Sequence, residues 1–156
     1  MTRAAERGSV SIEVAVLAPA FIALMVLAGV VGRNAVAAEA LDAAAHDAAR
    51  AASISRDSGT ARKKALEAAQ NQLDWHGLAC GNDLSPTFTG AVAGSDSSSF
   101  DDAFSSTVGT DATVTVTISC LVSFKDITLD ILPGMESERE ITGQFTSPLD
   151  RYRSRQ

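Results

Sequence analysis

Side chains able to do acid–base, nucleophilic or metal chemistry are sparsely and unhelpfully placed in this chain. His76 and Cys80 could seed a metal site, but two ligands are too few for a structural zinc. Asp96, Asp101 and Asp102 fall in the run SDSSSFDDAFSS, where acidic groups suggest calcium. The D-x-[DN]-x-[DN]-G spacing of an EF-hand is absent, so residues 95–106 read as a plain exposed acidic loop. There is no G-x-S-x-G, no H-E-x-x-H and no P-loop, and the scattered serines single out no triad. His46 reads as a solvated surface residue. The basic trio Arg62, Lys63 and Lys64 reads as a solvent-facing helix start, because a net charge of −6 and a pI of about 4.8 argue against nucleic acid. No catalytic residue, metal site or cofactor is expected. One carboxylate has an unusual address: Glu13 stands at the mouth of the chain's one greasy segment.

That segment sets the architecture. Val14 to Val31 is uncharged and, as a helix, covers roughly 27 Å, close to the hydrocarbon thickness of a bilayer. Pro19 frees the carbonyl of Ala15, which a membrane helix tolerates when neighbouring groups satisfy it. Ala28 and Gly32 form a small-xxx-small pair that chance explains in so alanine-rich a stretch. Past Arg33 the sequence stays rich in alanine, the best helix former, and carries no Pro or Gly until Gly59. A helix from about Val10 to about Ile54 is therefore predicted, on the order of 65 Å long. Ala37, Leu41, Ala44, Ala48 and Ala52 line one of its faces; Glu39, Asp42, Asp47 and Arg50 lie mostly elsewhere.

Residues 53–60 (SISRDSGT) read as a stop and turn, and 61–76 as a second helix with Leu66, Ala69 and Leu73 on its apolar face. The clearest strand is ATVTVTISCLVSF, residues 112–124. Val114, Val116, Ile118, Cys120, Val122 and Phe124 point one way, and mostly Thr and Ser the other. The phase slips at Lys125-Asp126, as in a turn or bulge, and Ile127, Leu129 and Ile131 continue on odd numbers before a break at Leu132-Pro133-Gly134. Glu138 to Phe145 gives a further strand with Ile141 and Phe145 inward, and Pro86 to Val92 a weaker one. Helices followed by strands imply an α+β fold with a short antiparallel sheet.

The N-terminal segment has three readings. A secretory signal peptide would use Ala35-Val36-Ala37 as its cleavage site, but the apolar run is long for one and Arg33 intervenes. An ordinary uncleaved signal anchor is another. The third rests on Gly8, then SVSI, then Glu13, then a long apolar helix. This arrangement resembles the class III leader of type IV pilins and pseudopilins. The resemblance implies that a prepilin peptidase cuts between Gly8 and Ser9 on the cytoplasmic side and leaves the helix on the mature protein. Loss of Arg3, Glu6 and Arg7 would free the helix from its cytoplasmic anchor. Glu13 would then be the assembly residue, its carboxylate neutralising the new amine of Ser9 or that of a neighbouring subunit. The alternative is a carboxylate resting at the headgroup interface.

The C-terminal half extends the likeness. Alternating Val and Thr, a cysteine, an aspartate-hydrophobic strand, Leu132-Pro133-Gly134 and the closing SPLDRYR (147–153) resemble TadE-like proteins of high-GC Gram-positive bacteria. These are minor pilins or pseudopilins of the Tad (tight adherence) apparatus, which builds Flp-type pili. Val14 follows Glu13 where major Flp pilins usually carry tyrosine, and a sizeable domain follows; both favour a minor, priming or tip subunit. The implied organisation is a leader at 1–8, a transmembrane helix at 9–33, an extracytoplasmic helix extension and turn at 34–60, and a small α+β domain at 61–156. Implied partners are other pilins through the N-terminal helix, prepilin peptidase, the membrane platform of the pilus machine and the lipid bilayer, with no nucleic acid. The expected location is the cytoplasmic membrane, single-pass, N-terminus inside, with the cell surface after assembly. Cys80 and Cys120 fit an exported domain as a disulfide closing a loop of about 40 residues; two free core thiols are the alternative. Competing functions are a membrane-anchored or secreted binding domain using the acidic loop, and an extracytoplasmic enzyme.

Overall fold

The structure, a computed structural model, describes residues 6–78, 80, 84–95, 98–124, 138–152 and 154, with side chains from Ile12 onward. Helix α1 runs unbroken over Glu6–Ser53, 48 residues and roughly 70 Å, and passes through Pro19 without interruption. A four-residue turn leads to α2 (Ser58–Trp75), which starts three residues earlier than its apolar periodicity indicates. The reason is Asp57, whose carboxylate accepts from the Thr60 amide at 2.7 Å and caps the helix. The buried stripe of α2 is Ala61, Ala65, Ala69 and Leu73, with Leu66 only half-buried. Small side chains let α2 lie close against the alanine face of α1, where Ala37, Leu41, Ala44, Ala48 and Ala52 are all buried as expected.

Strands β1 (Ser85–Val92), β2 (Ala112–Ser123) and β3 (Glu138–Pro148) form one antiparallel sheet in the order β1-β2-β3. The six even-numbered residues from Val114 to Phe124 are all buried, so the alternation read from sequence is the packing face of the sheet. On β3, Ile141 is buried and Phe145 shares its face, but Phe145 stays 38% exposed at the margin, its ring edge-on to His46 at 4.5 Å. The alternation at Ile127, Leu129 and Ile131, the slip at Lys125-Asp126 and the Leu132-Pro133-Gly134 break lie outside the described residues.

The acidic loop expected over 95–106 is corrected. Phe100–Ser105 forms a short helix, α3, and Phe100, Ala103 and Phe104 are buried. The Ser99 side chain accepts from the Asp102 amide while the Asp102 carboxylate accepts from the Ser99 amide, a capping box that fixes the first turn. Phe100 meets Phe88 and Phe104 at centroid distances of 5.2 and 5.1 Å, plugging the β1 end of the core. The result is two layers: α1 covers β2 and β3, α3 covers β1, and α2 packs on α1.

Two glycines set the spacing of those layers. A Cβ on Gly143 would lie 2.4 Å from the Leu41 carbonyl carbon and oxygen, and one on Gly90 would lie 2.6 Å from the Ser99 carbonyl oxygen. Only glycine admits such close backbone approach.

Candidate functional site

The candidate site is the first half of α1. Gly8 and Ser9 lie in its first turns and Glu13 one turn beyond Ser9, because helical rise places residues four apart on the same face. Glu13 is exposed and, among the described residues, has no hydrogen-bond or ion-pair partner. The apolar stretch above it is equally uncovered. Leu17, Phe21, Leu24, Met25 and Val31 are all exposed, and no residue of the most apolar window is buried within the chain. A helix apolar all round and unburied requires a non-aqueous environment or apolar partners.

The second half of α1 is built for the opposite task. From Ala37 to Ala52 every third or fourth residue is buried against α2 and the sheet. The Ser147 hydroxyl donates to Ser53 Oγ at 3.0 Å, tying the end of β3 to the end of α1. The same rigid rod therefore presents Glu13 at one end and carries a packed α+β head at the other.

The head is fastened by covalent and ionic contacts. Cys80, just beyond α2, is joined to Cys120 in the middle strand by a disulfide, with Cα atoms 5.6 Å apart. Arg62 donates to Asp101 at 2.9 Å and lies over the Phe100 ring at 5.0 Å, so this member of the basic trio bridges α2 to α3. The Ser58 hydroxyl and the Arg62 guanidinium hold the Asp101 carboxyl below the usual carboxylate range. Amide and hydroxyl donors of Ser99 do the same for Asp102, and those of Thr60 for Asp57. Arg151 pairs with Asp111 near the chain end.

Of the acidic groups considered for calcium, Asp101 faces Arg62 and Asp102 caps α3, and Asp96 lies outside the described residues. Among the described residues no three His, Cys, Asp or Glu groups converge as metal ligands. His46 is half-exposed, within 3.0 Å of Asp47. His76 caps α2 at its C-terminal end, where its backbone amide donates to Gln72. An open hollow of about 690 Å³ beside the paired ends of β1 and β2 is lined mainly by Ala, Gly and Thr, and its one carboxylate is the Asp111 already paired with Arg151. Sequence reasoning missed the Arg62–Asp101 bridge and the plug formed by Phe100 and Phe104. The spacing of the two phenylalanines, one helical turn apart after Ser99 and on either side of Asp102, was the available signal.

An exposed apolar half-helix, long and apolar enough to cross a membrane once, is continuous with a packed α+β head, the arrangement of a single-pass membrane protein. Residues 8–50 match the model of the family described as TadE-like protein. The match begins at Gly8, contains Glu13 and the whole apolar stretch, and ends in the packed half of α1. It points to a pilin-like protein associated with the Tad pilus, a structural class of subunit. No curated protein and no solved structure matches the chain.

Proposed function

We propose that this protein is a minor pilin or pseudopilin of a Tad-type assembly or secretion apparatus, processed by prepilin peptidase between Gly8 and Ser9. The observation that carries the proposal is the family match over 8–50 falling on one uninterrupted helix. Cleavage turns Ser9 into a helix N-terminus bearing a positive amine. The helix dipole already places positive partial charge there, so the amine is unfavourable unless a carboxylate offsets it. Glu13, one turn along the same face, offsets it within the subunit or in a neighbour. The arginines of the leader favour the cytoplasmic side, which puts the head outside. The division into leader 1–8, span 9–33, extension 34–60 and domain 61–156 follows from this reading. Other pilin helices, the peptidase, the membrane platform and the bilayer are its partners.

A secretory route fits the packing less well. A cut after Ala37 would fall inside α1 and strip Ala37 and Val30 from the apolar cluster they join. N-terminal sequencing of membrane-extracted protein tests the proposal, using cells with and without prepilin peptidase. A start at Ser9 that depends on the peptidase supports it. A start at Ala38, or an intact N-terminus in both cells, overturns it.

A further inference from the structure

The single tryptophan of the chain, Trp75, is the last residue of α2 and is 84% exposed. Its position along α1 can be read from the helical hairpin. The eighteen residues of α2 follow a four-residue turn and pack back along α1, so they retrace its last eighteen residues, from Ser53 to Val36. Trp75 therefore lies at the height of Val36, itself 60% exposed. Arg33, the first charge after the apolar stretch, marks the outer edge of the hydrocarbon. Three residues of helix put Trp75 about 5 Å above that edge. The headgroup layer on each side of a bilayer is roughly 5–8 Å deep, the difference between its hydrocarbon and total thickness.

A second observation brings the head down to the membrane. Val30, below Arg33 on the rod, is partly buried against the core cluster. β3 sets Gly143 against Leu41 and Ser147 against Ser53, so it runs in the same direction as α1 and its Glu138 end points toward the bilayer. The head thus has no stalk separating it from the membrane. The exposed side chain of Trp75 at this level is an indole, an apolar ring with one N–H donor. Trp is enriched at this level because the ring leaves water while the N–H stays hydrogen-bonded.

We propose that Trp75 is a second membrane contact, seated in the outer headgroup layer of the bilayer that α1 crosses. It fixes the rotation and height of the head relative to the membrane before any assembly. The inference rests on the reading of α1 as a membrane span. As the one tryptophan, Trp75 reports on itself. The full chain is reconstituted in phosphatidylcholine vesicles, flotation is checked, and tryptophan emission is recorded. Expected are co-flotation, emission shifted to shorter wavelength than for the denatured chain, and severalfold weaker quenching by acrylamide. Lipids brominated near the headgroup should quench more than lipids brominated near the chain ends. Co-flotation with full acrylamide access and no quenching by brominated lipid leaves the span intact and overturns the role of Trp75. Shifted emission insensitive to brominated lipid also overturns it, in favour of a protein contact. Failure to float overturns the span and the inference together.

Discussion

Replacing Gly143 by alanine probes the joint between rod and head at its tightest point. The added Cβ would stand 2.4 Å from the Leu41 carbonyl carbon and oxygen and 2.6 Å from the Asp42 amide nitrogen. These are backbone atoms in the middle of a long helix, and the Leu41 side chain is fully buried, so neither partner can swing aside. Overpacking of this kind costs roughly 1–3 kcal/mol, and a backbone clash belongs at the upper end. Alanine in place of strand glycine returns about 0.5–1 kcal/mol of chain entropy. The net loss is about 2 kcal/mol, and at ~2–4 °C per kcal/mol for a chain of this length the melting temperature falls by roughly 4–8 °C. Scanning calorimetry of the full chain in detergent micelles measures it. Gly32→Ala is the control: nothing lies within 4 Å of its Cβ, and helix propensity favours alanine, so its melting temperature should not fall. A Gly143→Ala protein as stable as the parent would refute the close packing of α1 on β3.

Phe104→Ala should destabilise the head by about 3–5 kcal/mol in denaturant titration, because the ring is fully buried in the plug; a loss below about 1 kcal/mol would return residues 95–106 to a loop. Reduction of Cys80–Cys120, which spans 40 residues, should cost about 2–4 kcal/mol while leaving flotation with vesicles unchanged, and non-reducing mass spectrometry should show the two peptides linked. Asp57, Asp101 and Asp102 all have carboxyls held below their ordinary value of 3.8. Their stabilisation is fully present above that value and is lost as pH falls through the lowered ones. The melting temperature should therefore drop on acidification below about pH 4, and a rise in that window would contradict the three contacts.

The elements that rest on one-dimensional pattern were readable in the sequence. Eighteen uncharged residues and an alanine run without Pro or Gly gave α1, and strict alternation gave β2 with its buried face correct to the residue. What escaped depends on contacts between distant segments. The serine and aspartate of SDSSSFDDAFSS disguised a helix whose two phenylalanines are buried in the core, because composition averages over the capping box that starts it. Arg62 looked solvated because Asp101 is 39 residues away in sequence. Gly143 looked like an ordinary strand residue, since nothing local announces that Leu41 lies against it. Glu13 and Gly8 are a different case. Their mutual placement was legible, and it coincides with the start of the TadE-like match, but the roles proposed for them act on molecules other than this chain.

The assembly role proposed for Glu13 is separable from the packing of the head, and removal of the carboxylate separates the two. Glu13→Ala should be cleaved to Ser9 at the parent's rate, should fold its head normally and should float with membranes. It should nevertheless lose crosslinks to other pilin-like helices, because the amine at Ser9 no longer has its counter-charge. Crosslinking in cells, followed by size analysis of parent and variant, reads this directly. Loss of the higher-order species in a correctly processed Glu13→Ala protein is the predicted result. Assembly of Glu13→Ala equal to the parent would make the carboxylate an interfacial bystander and contradict the role of this helix as an assembly site.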